Sequence, residues 1–311
     1  MNELEPAIRV RGLTKTFGAF TAVDGIDVTV TRGQIFGFLG PNGSGKTTTI
    51  RMLTGTLRPQ SGAAEVLGVD VVRHPERVQQ RIGYMSQKFS LFEDMTVDEN
   101  LKFYAGVYEV PAEEFAERRA YVLKMADLEG RENELTRNLS VGWRQRLALG
   151  AATIHTPELL FLDEPTSGVD PVARRQFWDL LYDLAGRGVT LFVTTHYMDE
   201  AAHCNQLAFI YRGKIIAEGS PAELRRAFTQ RVFDITVSSS DLALDYLVSA
   251  DGIDEAYLSG ASLHAAVGVD SQITGDDLRR RLVTAGFADA EVDDVEPTIE
   301  DVFVNLVSQN R

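Results

Sequence analysis

The run Gly40-Pro41-Asn42-Gly43-Ser44-Gly45-Lys46-Thr47 has residue types and spacing suited to holding a polyphosphate. Glycines let successive backbone N–H groups turn toward an anion, lysine supplies a point charge for the outer phosphates, and the threonine hydroxyl can ligate Mg2+. The pattern is informative only between a strand and a helix. The apolar run Ile35-Phe36-Gly37-Phe38-Leu39 before it predicts a buried strand, and Lys46 to Leu53 after it predicts a helix that ends near Gly55. A second apolar run, Leu159-Leu160-Phe161-Leu162, leads into Asp163-Glu164 and so places two carboxylates at the C-terminal end of a buried parallel strand, the edge at which ligands bind. Asp163 is expected to hold Mg2+ from the side opposite Thr47. Glu164, one residue on, is expected to polarise a water for in-line attack on the γ-phosphorus of a bound nucleoside triphosphate.

These residues need an α/β scaffold. Up to about residue 221, strand-like and helix-like segments alternate, with Ile8-Arg9-Val10 and Ile26-Asp27-Val28-Thr29-Val30 reading as half-exposed strands around the Arg32-Gly33 turn. Residues from about 89 to 156 read instead as a helical insertion, with helices predicted at 97–108, 112–126 and 143–155. From 222 to 311 the periodicities run strand, helix, strand, strand, helix, strand, the order of a ferredoxin-like α+β domain. A last helix begins after Thr298, an N-cap with Asp301 at N3, and is expected to bury Ile299, Val302, Phe303 and Leu306. This second domain shows no catalytic constellation and is expected to regulate or support assembly.

Composition narrows the function classes. Of the 311 residues, 44% are hydrophobic and 24% charged, which suits a folded chain with a sizeable core. No stretch reaches the roughly 18 apolar residues a membrane span needs, and the N-terminus lacks a basic flank and an apolar signal core. Neither a membrane span nor export is expected. Cys204 is the only cysteine, which excludes an internal disulfide and a cysteine metal cluster. A formal net charge of −14 argues against broad contact with nucleic-acid phosphates.

A resemblance extends this reading. Leu139-Ser140-Val141-Gly142-Trp143-Arg144-Gln145-Arg146-Leu147, followed by Asp163-Glu164-Pro165-Thr166-Ser167-Gly168-Val169-Asp170, resembles the signature motif, Walker B carboxylates and D-loop of ABC transporter ATP-binding subunits. The match covers residues from about 8 to 220. Within the family the chain is most similar to multidrug-efflux exporter ATPases, on Ile82-Gly83-Tyr84-Met85-Ser86-Gln87-Lys88-Phe89-Ser90-Leu91, Thr195-His196-Tyr197-Met198-Asp199-Glu200 and Glu296-Pro297-Thr298-Ile299-Glu300-Asp301-Val302-Phe303.

The resemblance implies a P-loop NTPase core of ABC type, ATP and Mg2+ as ligands, and a nucleotide loop running from Gly40 to Thr48. It implies that Phe17 stacks on adenine, that Gln87 reaches the Mg2+ held by Thr47 and Asp163, and that His196 bonds the γ-phosphate and orients the attacking water. It also implies that Ser140 and Gly142 meet the γ-phosphate of a second copy in a head-to-tail dimer. Cargo would move through a separate integral membrane permease, which would hold the subunit on the cytoplasmic face of the membrane and contact Lys88-Phe89-Ser90-Leu91-Phe92. The signature departs from the family pattern at Val141, where a second glycine is usual, and at Trp143, where glutamine is usual. An importer ATPase and a soluble ABC ATPase acting on ribosomes or nucleic acid are the alternatives. The former more often carries an all-strand C-terminal module, and the latter two fused nucleotide units or long heptads.

Overall fold

The computed structural model describes residues 5–88 and 90–310. Its contacts divide the chain into two units, Met1–Glu218 and Gly219–Arg311. The division falls just before Ser220-Pro221. Phe89, where the helical insertion was expected to begin, lies outside the described residues.

The first unit opens with β1 (Ile8–Phe17) and β2 (Phe20–Val30), a hairpin of long strands, and continues into β3 (Ile35–Leu39) and α1 (Lys46–Leu53). The short strands β4 (Ser61–Val66) and β5 (Val69–Asp70) follow, then α2 (Pro75–Gln79) and β6 (Ile82–Met85). Three helices form the insertion, α3 (Val97–Val107), α4 (Ala112–Met125) and α5 (Val141–Thr153). The chain then returns through β7 (Leu159–Asp163), α6 (Pro171–Gly186), β8 (Thr190–Thr195), β9 (Gln206–Tyr211) and β10 (Lys214–Gly219).

Two sheets result, an antiparallel one in the order β2-β1-β4-β5 and a larger one in the order β10-β9-β3-β8-β7-β6. Every residue of β3, β7 and β8 is buried, as expected of strands covered on both faces, and their pairing with one another and with β6 and β9 is parallel. Ile50, Met52 and Leu53 of α1 share one apolar core with Val10, Val28 and Val66 of the first sheet and with Phe36, Phe161 and Phe192 of the second. That packing fixes the phosphate loop against the parallel sheet.

Sequence periodicity undercounted β1 and β2. Their register shifts between Val10 and Leu13 and again near Lys15, which breaks the alternation that reveals a strand. At one of these irregularities the Gly12 N–H bonds the Asp27 carboxylate at 3.0 Å. The third insertion helix begins at Val141 rather than 143, because the Ser140 hydroxyl accepts from the Trp143 N–H and caps it. Val97, Leu101, Val122, Leu123, Leu147 and Ile154 form a separate core inside the insertion.

In the second unit, α7 (Pro221–Ala227) precedes β11 (Arg231–Thr236), α8 (Ser240–Val248), β12 (Glu255–Ser259), β13 (Ser262–Val267), α9 (Gly275–Thr284), β14 (Glu291–Val295) and α10 (Ile299–Gln309). The antiparallel order β12-β13-β11-β14 is that of a ferredoxin-like sheet. Sequence reading missed α7, although Ser220 and Glu223 form a capping box around Pro221. Seven residues give too little apolar periodicity to recognise.

The helix α10 buries Ile299 and Val302, but Phe303 and Leu306 are only half-buried, which corrects the expectation for them. Its first turn is held by polar contacts. Asp301 accepts from the Thr298 N–H and hydroxyl, both at 2.6 Å, from Tyr257 Oη, and from His264 Nδ1 at 2.7 Å. The helix also packs against α7.

The hydrogen bond to Asp301 raises the His264 pKa above 6.5, against the opposing effect of burial. A raised pKa means that the charged pair stabilises the fold fully below about pH 6.5 and loses strength as pH rises through the higher folded value. His264→Gln should therefore lower the stability of α10 by about 2 kcal/mol at pH 6 and by much less at pH 9, the scale of a hydrogen bond to a charged group. Amide exchange protection of α10, corrected for intrinsic rates, measures this. An equal loss at both pH values would contradict it.

Candidate active site

Successive parallel strands end at one edge, and the register is the reason the site exists. Leu39 pairs with Thr195, and Asp163 pairs with Thr194, so the loops that follow β3, β7 and β8 emerge side by side, with that after β6 next to them. The phosphate loop follows β3, Glu164 follows β7, His196 follows β8 and Gln87 lies just beyond β6.

The loop is pressed against its scaffold. A Cβ on Gly40 would lie 2.2 Å from the Ile210 carbonyl oxygen, and one on Gly45 2.4 Å from that of Ala22. Gly45 also has φ 114°, which a residue with a Cβ adopts only under strain. The N-terminus of α1 that follows has no side-chain cap, and the Ser44 hydroxyl is buried without a hydrogen-bond partner. First-turn N–H groups, a buried hydroxyl and a backbone too close for side chains together fit an anion with several oxygens. Pro41 and Thr48 are half-buried, and Asn42, Gly43 and Thr47 are exposed.

Lys46 is 4% exposed and Glu164 7% exposed, and their charged atoms are 3.0 Å apart. The Lys46 Nζ also donates to the Gly40 and Pro41 carbonyls, at 2.8 and 3.2 Å. The other Glu164 oxygen accepts from Gln87 Nε2 at 3.0 Å and lies 3.1 Å from His196 Nδ1. Asp163 accepts from Thr47 Oγ1 at 3.2 Å and from Thr194 Oγ1 at 2.8 Å. Burial raises the Asp163 pKa against these hydrogen bonds. Burial, then the charge of Asp163, pushes Tyr84 up to about 12.

The Thr47 hydroxyl and Asp163 carboxylate are a hard oxygen pair, the kind Mg2+ takes from proteins while keeping water and phosphate oxygens as its other ligands. Among the described residues no cluster of three or more His, Cys, Asp or Glu could hold a metal. Gln87, expected at the metal, donates its amide N–H to Glu164 in this arrangement.

Sequence reading missed Thr194. Its hydroxyl bonds Asp163 while its carbonyl and hydroxyl both receive the Glu164 N–H, each at 3.1 Å, tying the two acidic residues to β8. The signal was present as Thr194-Thr195 directly before His196, but a β-branched pair at a strand end reads as ordinary strand.

Not every predicted residue joins the cluster. Phe17 sits at the β1–β2 turn, 49% exposed, with Lys15 Nζ 5.4 Å from its ring. Ser140 is exposed and uses its hydroxyl as the α5 cap. Gly142 lies near α6, where a Cβ would meet that of Ala173 at 3.3 Å. Trp143 packs against the insertion core with the Arg131 guanidinium 3.5 Å over its ring, so it anchors the helical insertion.

Comparison with known proteins agrees with this geometry. The ABC transporter family model matches residues 23–167. An Escherichia coli protein named as a probable multidrug ABC transporter ATP-binding protein is 46% identical over 71% of this chain, and the chain spans 38% of that relative's length. A daunorubicin resistance ATP-binding protein of Streptomyces coeruleorubidus is 35% identical over 99% of this chain and 98% of its own. Among solved structures, a dimeric post-hydrolysis state of an ATP-binding cassette bound to ADP and Pi superposes with a TM-score of 0.63 at 25% identity, covering 68% of this chain and 98% of that one. Since a phosphate loop, strand-end carboxylates and a capped signature helix coincide with identity to a relative along nearly its full length, the chain belongs to the family of ABC transporter ATP-binding proteins.

Proposed function

We propose that this chain is the ATP-hydrolysing subunit of an ABC exporter and drives efflux through a separate membrane permease. The observation that carries this reading is the meeting of Lys46, Gln87 and His196 on one carboxylate, that of buried Glu164. Ser44, Lys46 and the N–H groups that open α1 bind the triphosphate, and the half-exposed face of Phe17 takes adenine. Thr47 and Asp163 hold Mg2+, with Gln87 in reach of it. When bound, the ion neutralises charge on the phosphate oxygens. Glu164 accepts the proton of the attacking water, and His196 and Gln87 fix the carboxylate's direction while His196 also bonds the γ-phosphate.

Ser140 and Gly142 lie at the exposed start of α5, where an N-terminal helix end favours an anion brought by another molecule. A head-to-tail pair of copies forms two composite sites by symmetry. The dimeric cassette among the structural neighbours supports this reading. The names of the relatives support drugs or other amphiphilic compounds as cargo. Among the described residues no helix is long and apolar enough to cross a membrane, so the cargo path is assigned to the permease. With a net charge of −14, no nucleic-acid partner is proposed.

Glu164→Gln should bind ATP normally and lower turnover by about a hundredfold or more, the scale of a positioned base. Lys46→Ala should weaken ATP binding itself. Titration with a fluorescent ATP analogue and a phosphate-release assay separate the two effects, and near-normal turnover by Glu164→Gln would assign the base elsewhere.

The same Glu164→Gln variant should dimerise on adding ATP, because hydrolysis cannot release the pair. Light scattering with and without ATP reads this directly. Mixtures of Lys46→Ala with Ser140→Arg subunits test the composite site, since each mixed dimer keeps at most one intact. A variant that binds ATP and stays monomeric, with or without its permease, refutes the arrangement.

Ending the chain after Glu218 should leave ATP affinity intact and change dimerisation or turnover. Complete loss of ATP binding in a folded truncated chain would show instead that the second unit completes the site.

A further inference from the structure

The segments that follow Glu164 and His196 meet at a buried carboxylate that the proposed reaction does not use. Glu200 is 1% exposed. Its Oε1 accepts from the Thr166 hydroxyl and from Trp178 Nε1, the latter at 3.2 Å, and Arg174 Nε lies 3.9 Å away. Arg174 reaches along the same segment, to Asp199 at 3.5 Å and over the Tyr197 ring at 4.1 Å. Thr166 stands two residues after Glu164, and Glu200 four after His196.

Burying a carboxylate is unfavourable unless its partners are fixed, and an apolar side chain would fill the same space more simply. A geometric role explains why a carboxylate stands here. Glu164 has φ 49°, a conformation that residues with a Cβ avoid, so the direction of its side chain depends on whatever clamps the turn that follows. Contacts from three elements do so. The Glu164 N–H is held by Thr194 of β8, the Pro165 carbonyl by buried Gln145 of α5, and the Thr166 hydroxyl by Glu200. The last of these comes from the segment that follows His196.

We propose that Glu200 is a positioning residue, a buried brace between Thr166 and the His196 segment that keeps Glu164 and His196 in one mutual orientation during turnover. Misplacement of reacting groups by even an ångström slows a reaction without weakening substrate binding, so the brace acts on kcat. The proposal rests on the reading of Glu164 as the proton acceptor.

Full-length Thr166→Val, Thr166→Ser, Glu200→Ala and the double variant Thr166→Val with Glu200→Ala are compared with Glu164→Gln for ATP affinity, kcat, KM and melting temperature. Thr166→Val keeps the shape and removes the donor. It should lower kcat by about tenfold or more while leaving ATP affinity within about twofold. Thr166→Ser should restore most of the rate, and adding Glu200→Ala to Thr166→Val should lower it little further. A contact with only a structural role would lower the melting temperature and leave kcat per folded molecule within about twofold. That outcome overturns the proposal, as does full additivity of the two losses. If Glu200→Ala fails to fold, Thr166→Val and Thr166→Ser decide alone. Normal turnover by Glu164→Gln overturns the catalytic reading and this proposal with it, whereas an inactive Glu164→Gln beside an unimpaired Thr166→Val overturns this proposal alone.

Discussion

Lys46 and Glu164 face each other at 3.0 Å with almost no access to water. Such a pair persists only if its leftover protons and lone pairs also find partners, because desolvation otherwise outweighs the attraction. The partners come from separate stretches of chain: the Gly40 and Pro41 carbonyls for Lys46, and Gln87 and His196 for Glu164. Supplying them requires that the loops after β3, β6, β7 and β8 open at one edge. A parallel sheet with β3, β8, β7 and β6 as successive neighbours meets that requirement.

The remainder of the first unit supports this edge. The helix α1 is wedged into a core shared by both sheets, so its N-terminus cannot drift from the strand ends. In the helical insertion, buried Asn100 bonds the Phe92 backbone in both directions and the Thr136 hydroxyl, which fixes Phe92 against α3. Gln145 of the signature helix reaches the carbonyl of Pro165. The helix whose exposed start is assigned to a second copy's nucleotide therefore touches the turn that carries its own Glu164.

The second unit is built on different terms. One face of its sheet packs Phe233, Ile235, Leu263 and Val267 with α8 and α9 in an apolar core. A separate contact, with His264 and Tyr257 meeting Asp301, holds the start of α10 through charge and hydrogen bonds. Polar attachment of this kind responds to pH where an apolar core would not.

Local patterns in the sequence carried a large part of this. The phosphate loop needs glycine where φ is positive and where backbone approaches backbone, and those demands are written in consecutive residues. Buried parallel strands announce themselves as apolar runs, and helix starts as capping residues, as at Thr298 with Asp301. The two long N-terminal strands were only partly legible because their bulges interrupt the period of two, and α7 was too short to show one. The tertiary structure decided which distant side chains meet. Nothing in the sequence order places Thr194 on Asp163 or Glu200 on Thr166, because strand order and register, not proximity along the chain, determine which side chains can exchange hydrogen bonds in the interior. A sequence specifies which groups must be satisfied when buried, and the packing of its sheets and helices selects the partners that satisfy them.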